Sequence, residues 1–151
     1  MEIITKSDQE TINLANKTAP YIKGGEIILL YGDLGAGKTL FVKGLVKALG
    51  FKDIVVSPTF SLMKIYHEVG DLKKNKVKKL CHLDLYRLEN EQEIIELGIL
   101  DYFKESETVC LIEWPEKISK ILPRKPIEIF FTHIDENSRK IIIKGLNGIN
   151  N

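Results

Sequence analysis

Apolar and polar positions along this chain follow two rhythms, and each change of rhythm marks an element. Ile12, Leu14, Ala15 and Ala19 recur at helical spacing and predict an amphipathic first helix. Ser7 and Glu10 stand just ahead of it, spaced so that the serine caps the first turn while the glutamate reaches back to the cap's own amide. Pro20 and the pair Gly24-Gly25 end that helix. The run Ile27-Ile28-Leu29-Leu30-Tyr31 has no polar face, as expected of a strand covered on both sides of a sheet. A glycine-rich stretch over 32–37 follows, and then Leu40, Phe41, Leu45, Val46 and Leu49 return to helical spacing until Gly50.

Further on, Ile54–Ser57 and Leu62–His67 read as short strands on either side of Ser57-Pro58-Thr59, where the proline forbids a regular ladder. The polar, lysine-heavy segment 70–79 suits an exposed connection between two strands. Lys79–Leu85 and Thr108–Ile112 read as strands, and Glu91–Leu97 as a short helix stopped by Gly98. Trp114-Pro115 breaks the second of those strands. Ile127–His133 and Lys140–Lys144 complete the set, joined by a turn over 135–138. Strands alternating with helices predict a three-layer α/β domain over residues 1–151. Its sheet has a mainly parallel centre with antiparallel additions and helices on both faces.

Composition narrows the function classes without choosing one. A chain of 151 residues supports one core, which makes a single domain the expectation. With 44% apolar and 28% charged residues it reads as an ordinary globular chain rather than a disordered or membrane-spanning one. The net charge of +1 supplies no overall field for nucleic acid or anionic membrane, so any such contact must be local. Met1–Thr5 carries no basic segment followed by an apolar run, which predicts a cytoplasmic protein. Cys81 and Cys110 are flanked by apolar residues and read as two buried thiols.

The glycine-rich stretch carries the chemistry. Gly32-Asp33-Leu34-Gly35-Ala36-Gly37-Lys38-Thr39 satisfies G-x-x-x-x-G-K-[ST], a loop whose backbone amides surround phosphate oxygens while the lysine reaches the outer phosphates. The following helix points its positive dipole end at the anion, and the Thr39 hydroxyl is placed for Mg2+. The candidate nucleotide contacts are therefore Asp33, Leu34, Gly35, Ala36, Gly37, Lys38, Thr39 and the adjoining Leu40. A metal ion here needs a further oxygen ligand from another strand end. Glu113 ends such a strand and either serves the ion or is an ordinary terminal charge, and Asp84 competes for the role. Lys38, Asp84 and Glu113 are accordingly the candidate catalytic residues, with Thr39, Glu113 and Asp84 on the metal side.

Strand alternation puts His82, Asp84 and Tyr86 on one face, where a solvated strand end is as good a reading as a site. Ser57-Pro58-Thr59 offers hydroxyls on a loop that could sense the outermost phosphate. Lys73, Lys74, Lys76, Lys78 and Lys79, with Tyr66 and His67 upstream, form either a solubilising loop or an RNA contact with stacking partners. Asn16-Lys17-Thr18-Ala19 and Asn75-Lys76-Val77-Lys78 lack the aspartate of a guanine-reading motif, which favours ATP over GTP.

Taken together, Gly32–Thr39, Ser57–Phe60, His82–Leu88, Glu96–Ile99, Asp101–Phe103 and Ile112–Glu116 resemble, in order and spacing, the TsaE (YjeE) family. The resemblance implies a bacterial Mg2+-dependent ATPase that assists N6-threonylcarbamoylation of adenosine 37 in tRNA. It also implies TsaB and TsaD as protein partners, carbamoyl transfer belonging to TsaD and tRNA being reached indirectly through the complex. By the same resemblance Thr59 lies in a switch loop, Asp84, Glu113 and Trp114 stand near the nucleotide, and Thr11 approaches adenine. Arg87 is the one arginine inside a motif and the candidate charge-stabilising group. The competing readings are a nucleotide-sensing adaptor with little turnover, a small kinase of the same loop class, which the scarcity of arginine disfavours, and direct tRNA binding by the lysine-rich loop.

Overall fold

The structure is a computed structural model, and it describes residues 1–52, 55, 58, 61–68 and 76–148. Seven strands form one sheet: β1 Glu2–Thr5, β2 Ile27–Tyr31, β3 Met63–His67, β4 Lys79–Asp84, β5 Thr108–Glu113, β6 Ile127–His133 and β7 Arg139–Lys144. Their order is β1-β7-β6-β2-β5-β4-β3. The four strands β6, β2, β5 and β4 are mutually parallel and central. β3 pairs antiparallel with β4, β7 with β6 and β1 with β7. A parallel centre with antiparallel flanks is the sheet expected from the sequence.

Four helices accompany it: α1 Asp8–Thr18, α2 Lys38–Ala48, α3 Glu91–Glu96 and α4 Ile99–Tyr102. Ser7 caps α1 by accepting from Glu10 N–H at 3.2 Å, while the Glu10 carboxylate accepts from Lys6 N–H at 2.7 Å, one residue beyond the cap. One core joins α1 and α2, through Leu14, Ala15, Phe41, Val42 and Leu45, to Ile28, Leu30 and Leu111 of the sheet. The second core, on the opposite face, packs Ile94 of α3 and Ile99 of α4 against Leu29, Leu83 and Ile112. Each such fully buried side chain contributes roughly 1.5–3 kcal/mol of transfer free energy, so covering both faces holds the three layers together. β5 is accordingly buried at every position, whereas β6 and β7 alternate, because α3 and α4 cover only the β2-β5-β4 side.

Four features differ from the pattern-based expectation. β1 was absent from it, because four residues carry too little periodicity and this strand exists by pairing with β7 at the far end of the chain. The buried face of α1 uses Thr11 and Thr18 beside Leu14 and Ala15, while Ile12 is only partly covered. Tyr66 is fully buried and so is no stacking platform for RNA. Lys78 pairs with Glu68 at 2.7 Å and Lys79 with Glu105 at 2.8 Å, which ties two of the five clustered lysines to their own chain. Lys73 and Lys74, the switch residues Ser57 and Thr59, and all of the candidate strand 54–57 except the buried Val55 lie outside the described residues. Among the described residues no helix is long and apolar enough to cross a membrane.

Candidate nucleotide site at the carboxyl edge

The loop between β2 and α2 sits at the carboxyl ends of the parallel strands, where open α/β sheets bind ligands. Gly37 has φ 104°, in the left-handed region. A Cβ there would be strained by that backbone conformation and would also press on the Arg139 side chain, with Cδ at 3.0 Å. The cleft beside the loop has a volume of about 310 Å³ and is walled by Leu34–Leu40 together with Asp84, Glu113, Trp114, Asp8 and Arg139. A larger hollow of about 470 Å³ lies at the opposite edge, between Gly24, Glu26, Arg124 and Gly145. It adjoins the amino ends of the strands and has neither the loop nor a helix dipole behind it.

The Lys38 side chain is buried, and its ammonium donates to Gly32 O and, at 2.9 Å, to Asp33 O. The same nitrogen stands 4.4 Å from the centroid of the Trp114 ring. Burial lowers the Lys38 pKa below the ordinary lysine value, and the carboxylates of Glu113, Asp84, Asp33 and Glu116 oppose that shift by favouring the cation. Trp114 has φ 56° at the end of β5, which turns the chain sharply into Pro115 and sets the indole over the lysine. Tyr86 packs against that indole with ring centroids 4.9 Å apart.

Asp84 and Glu113 are register partners at the ends of the adjacent parallel strands β4 and β5, and each is 3% exposed. Asp84 Oδ1 accepts from Tyr86 N–H at 3.0 Å. Glu113 Oε1 lies 2.9 Å from His82 Nε2, and His82 has no exposed surface. The even reading of His82, Asp84 and Tyr86 as a solvated strand end is therefore corrected: only Tyr86, 61% exposed, faces water. Two neighbouring buried carboxylates, with the Thr39 hydroxyl on the wall of the same cleft, form a hard-oxygen donor set. Such a set fits Mg2+, which takes one or two carboxylates and fills its octahedron with phosphate oxygens and water.

Of the other residues singled out from the sequence, Leu34, Gly35, Ala36, Gly37, Thr39 and Leu40 line the cleft. Asp33 is exposed beside it and contributes its carbonyl to Lys38. Thr11 does not reach the cleft: it is fully buried, with its hydroxyl 2.9 Å from Thr5 Oγ1 and 3.0 Å from Arg139 Nη1. Asp8 and Arg139 form the wall in its place, joined by an ion pair of 2.9 Å. Sequence reasoning missed Arg139, although the inward rhythm Arg139, Ile141, Ile143 in β7 places an arginine on the buried face. Arg87 is exposed and is not on the cleft wall.

Sheet order, loop and flanking helix define an α/β protein of the phosphate-binding-loop NTPase type. The family profile described as "Threonylcarbamoyl adenosine biosynthesis protein TsaE" matches residues 5–141, and the chain belongs to the TsaE family. The TsaE protein of Bacillus subtilis (strain 168) is 39% identical over 137 residues, covering 91% of this chain and 80% of the relative. That of Treponema pallidum (strain Nichols) is 32% identical over 143 residues, covering 95% and 99%. The crystal structure of Bacillus subtilis YdiB superposes with a TM-score of 0.72 at 30% identity, covering 97% of this chain and 86% of that one.

Proposed function

We propose that this chain is a Mg2+-dependent ATPase acting in the cytoplasm in N6-threonylcarbamoylation of adenosine 37 of tRNA, together with the TsaB and TsaD proteins. The carrying observation is the convergence, in one cleft of a TsaE-family chain, of the loop Gly32–Thr39 with Lys38 and the paired carboxylates Asp84 and Glu113. In this reading the loop amides and the dipole of α2 hold the β- and γ-phosphates, and Lys38 neutralises them. Thr39 and Glu113 serve the magnesium ion, with Asp84 beside them. Mg2+ supplies charge neutralisation on the phosphates when bound. Thr59 completes the switch loop that senses the γ-phosphate, as the family resemblance implies.

The partner-dependent part of the proposal has its own support. The large apolar side chains exposed among the described residues are Ile4, Leu34, Tyr86 and Ile134. All four stand toward the carboxyl edge of the parallel strands, the edge that carries the cleft: Leu34 in the loop, Tyr86 after β4, Ile134 after β6, and Ile4 level with Thr132 across β7. Exposed apolar side chains on that edge offer contacts to a protein that docks over the nucleotide.

The deciding measurement is single-turnover ATP hydrolysis by the purified chain, alone and then with TsaB and TsaD. The expected result is slow hydrolysis that the partners accelerate and that Thr39→Ala removes. Partner-accelerated hydrolysis that survives Thr39→Ala would exclude the magnesium role. Tight ATP binding with no turnover in the complex would favour a nucleotide-sensing adaptor.

A further inference from the structure

His82 lies on β4 two residues before Asp84, one pleat deeper in the sheet and on the same face. Its ring is fully buried, and Nε2 has one partner, Glu113 Oε1 at 2.9 Å. The other ring nitrogen, Nδ1, is buried with no hydrogen-bond partner among the described residues. Where the imidazole carries one N–H, the place of that proton follows from these contacts. On Nε2 the proton satisfies the carboxylate and leaves a bare lone pair at Nδ1. On Nδ1 it would strand a buried donor and set two lone pairs face to face across 2.9 Å.

Glu113 is 3% exposed, lines the cleft, and takes no hydrogen bond to Oε2 from a described residue. We infer that His82 is a positioning residue for Glu113: its Nε2–H holds Oε1 and leaves Oε2 as the oxygen offered to the Mg2+ shell. The inference rests on the reading of Glu113 as a metal-side carboxylate. Its physical basis is that Mg2+ demands near-ideal octahedral geometry, so a carboxylate free to rotate binds it less well than one already held.

The test titrates Mg2+ into protein saturated with a non-hydrolysable ATP analogue. It follows the fluorescence of Trp114, the single tryptophan, which stands on the cleft wall. Three variants are compared with the parent: His82→Leu, His82→Gln and Glu113→Gln. His82→Leu is expected to weaken Mg2+ about tenfold or more, the usual effect of removing an outer-shell partner, with little change in Mg2+-free nucleotide affinity. His82→Gln, whose amide nitrogen reaches as far as Nε2, should recover most of the loss. Unchanged Mg2+ affinity in His82→Leu while Glu113→Gln weakens it overturns the positioning role alone. Unchanged affinity in Glu113→Gln overturns that role and the metal-side reading together. Should His82→Leu fail to fold, 15N-histidine spectra of the parent decide, with the His82 signal assigned by its loss in His82→Gln. A protonated Nε2 with a bare Nδ1 supports the inference, and the reverse tautomer overturns it.

Discussion

Replacing Gly44 with alanine sets two effects of similar size against each other, and the geometry predicts which prevails. Gly44 lies inside α2, where alanine is favoured over glycine by about 1 kcal/mol of helix propensity. A Cβ at this position, however, would stand 2.9 Å from Ala15 Cβ, 3.0 Å from Ile12 O and 3.2 Å from Ile12 Cα, all on α1. Two of those atoms are backbone, so no rotamer change relieves them and α1 as a whole must back away. Overpacking of this kind costs about 1–3 kcal/mol, which leaves a net loss of about 1 kcal/mol after the propensity gain. For a chain of this size that is a fall in Tm of roughly 2–4 °C, measurable by calorimetry or by denaturant midpoint at constant m. The first turn of α1 also carries Asp8, bonded to Arg139 on the cleft wall, so retreat of α1 loosens that pair and weakens nucleotide binding in the same variant. An alanine variant as stable as the parent, or more stable, would refute the close-packing argument.

Arg139→Met keeps an unbranched chain against Gly37 but loses both Nη1 bonds, to Asp8 and Thr11. Nucleotide affinity read from Trp114 fluorescence should fall severalfold, and an unaltered titration would remove Arg139 from the site. Lys38→Met should abolish ATP binding while leaving the denaturation midpoint near that of the parent, because the ammonium is a buried charge whose desolvation the apolar side chain avoids; calorimetric titration and urea melts check the two halves separately. Cys81 and Cys110 are register neighbours on β4 and β5, both buried, and the hydrogen bond that the Cys81 S–H donates to Cys110, together with burial, raises the Cys81 pKa far above the ordinary thiol value. Thiol alkylation of the native protein at pH 8 should therefore proceed only as fast as unfolding, and rapid labelling of either cysteine would contradict the packing. Ile4→Asp with Ile134→Asp, both outside the cleft lining, should leave ATP binding by the isolated chain intact while reducing acceleration by TsaB and TsaD, and full acceleration would place the partner elsewhere.

The phosphate loop, the elements that carry it and the class of sheet are legible along the chain. These are local matters: the G-x-x-x-x-G-K-T spacing, the unbroken apolar run 27–31 and the helical rhythm after Thr39 are complete within one short window. The sequence also named Lys38, Thr39, Asp84 and Glu113, since a motif or a strand end is visible along the chain, and Trp114 through the resemblance to the family. What those residues meet depends on the folded chain. β1 has no signal apart from its pairing with β7, and Arg139 becomes a cleft residue only because β7 lies beside β6 at the edge where the loop emerges. Thr11 is withdrawn from the cleft by the contacts of α1 with Thr5 and Arg139, which residues far away in the chain supply. Along the chain His82 reads equally as part of a solvated strand end or of a site, and the parallel register of β4 and β5 decides it by bringing its Nε2 to Glu113 and shutting both from water. Periodicity states which side of an element is buried, but the neighbour across the sheet is set by strand order, and strand order is fixed only by long-range pairing.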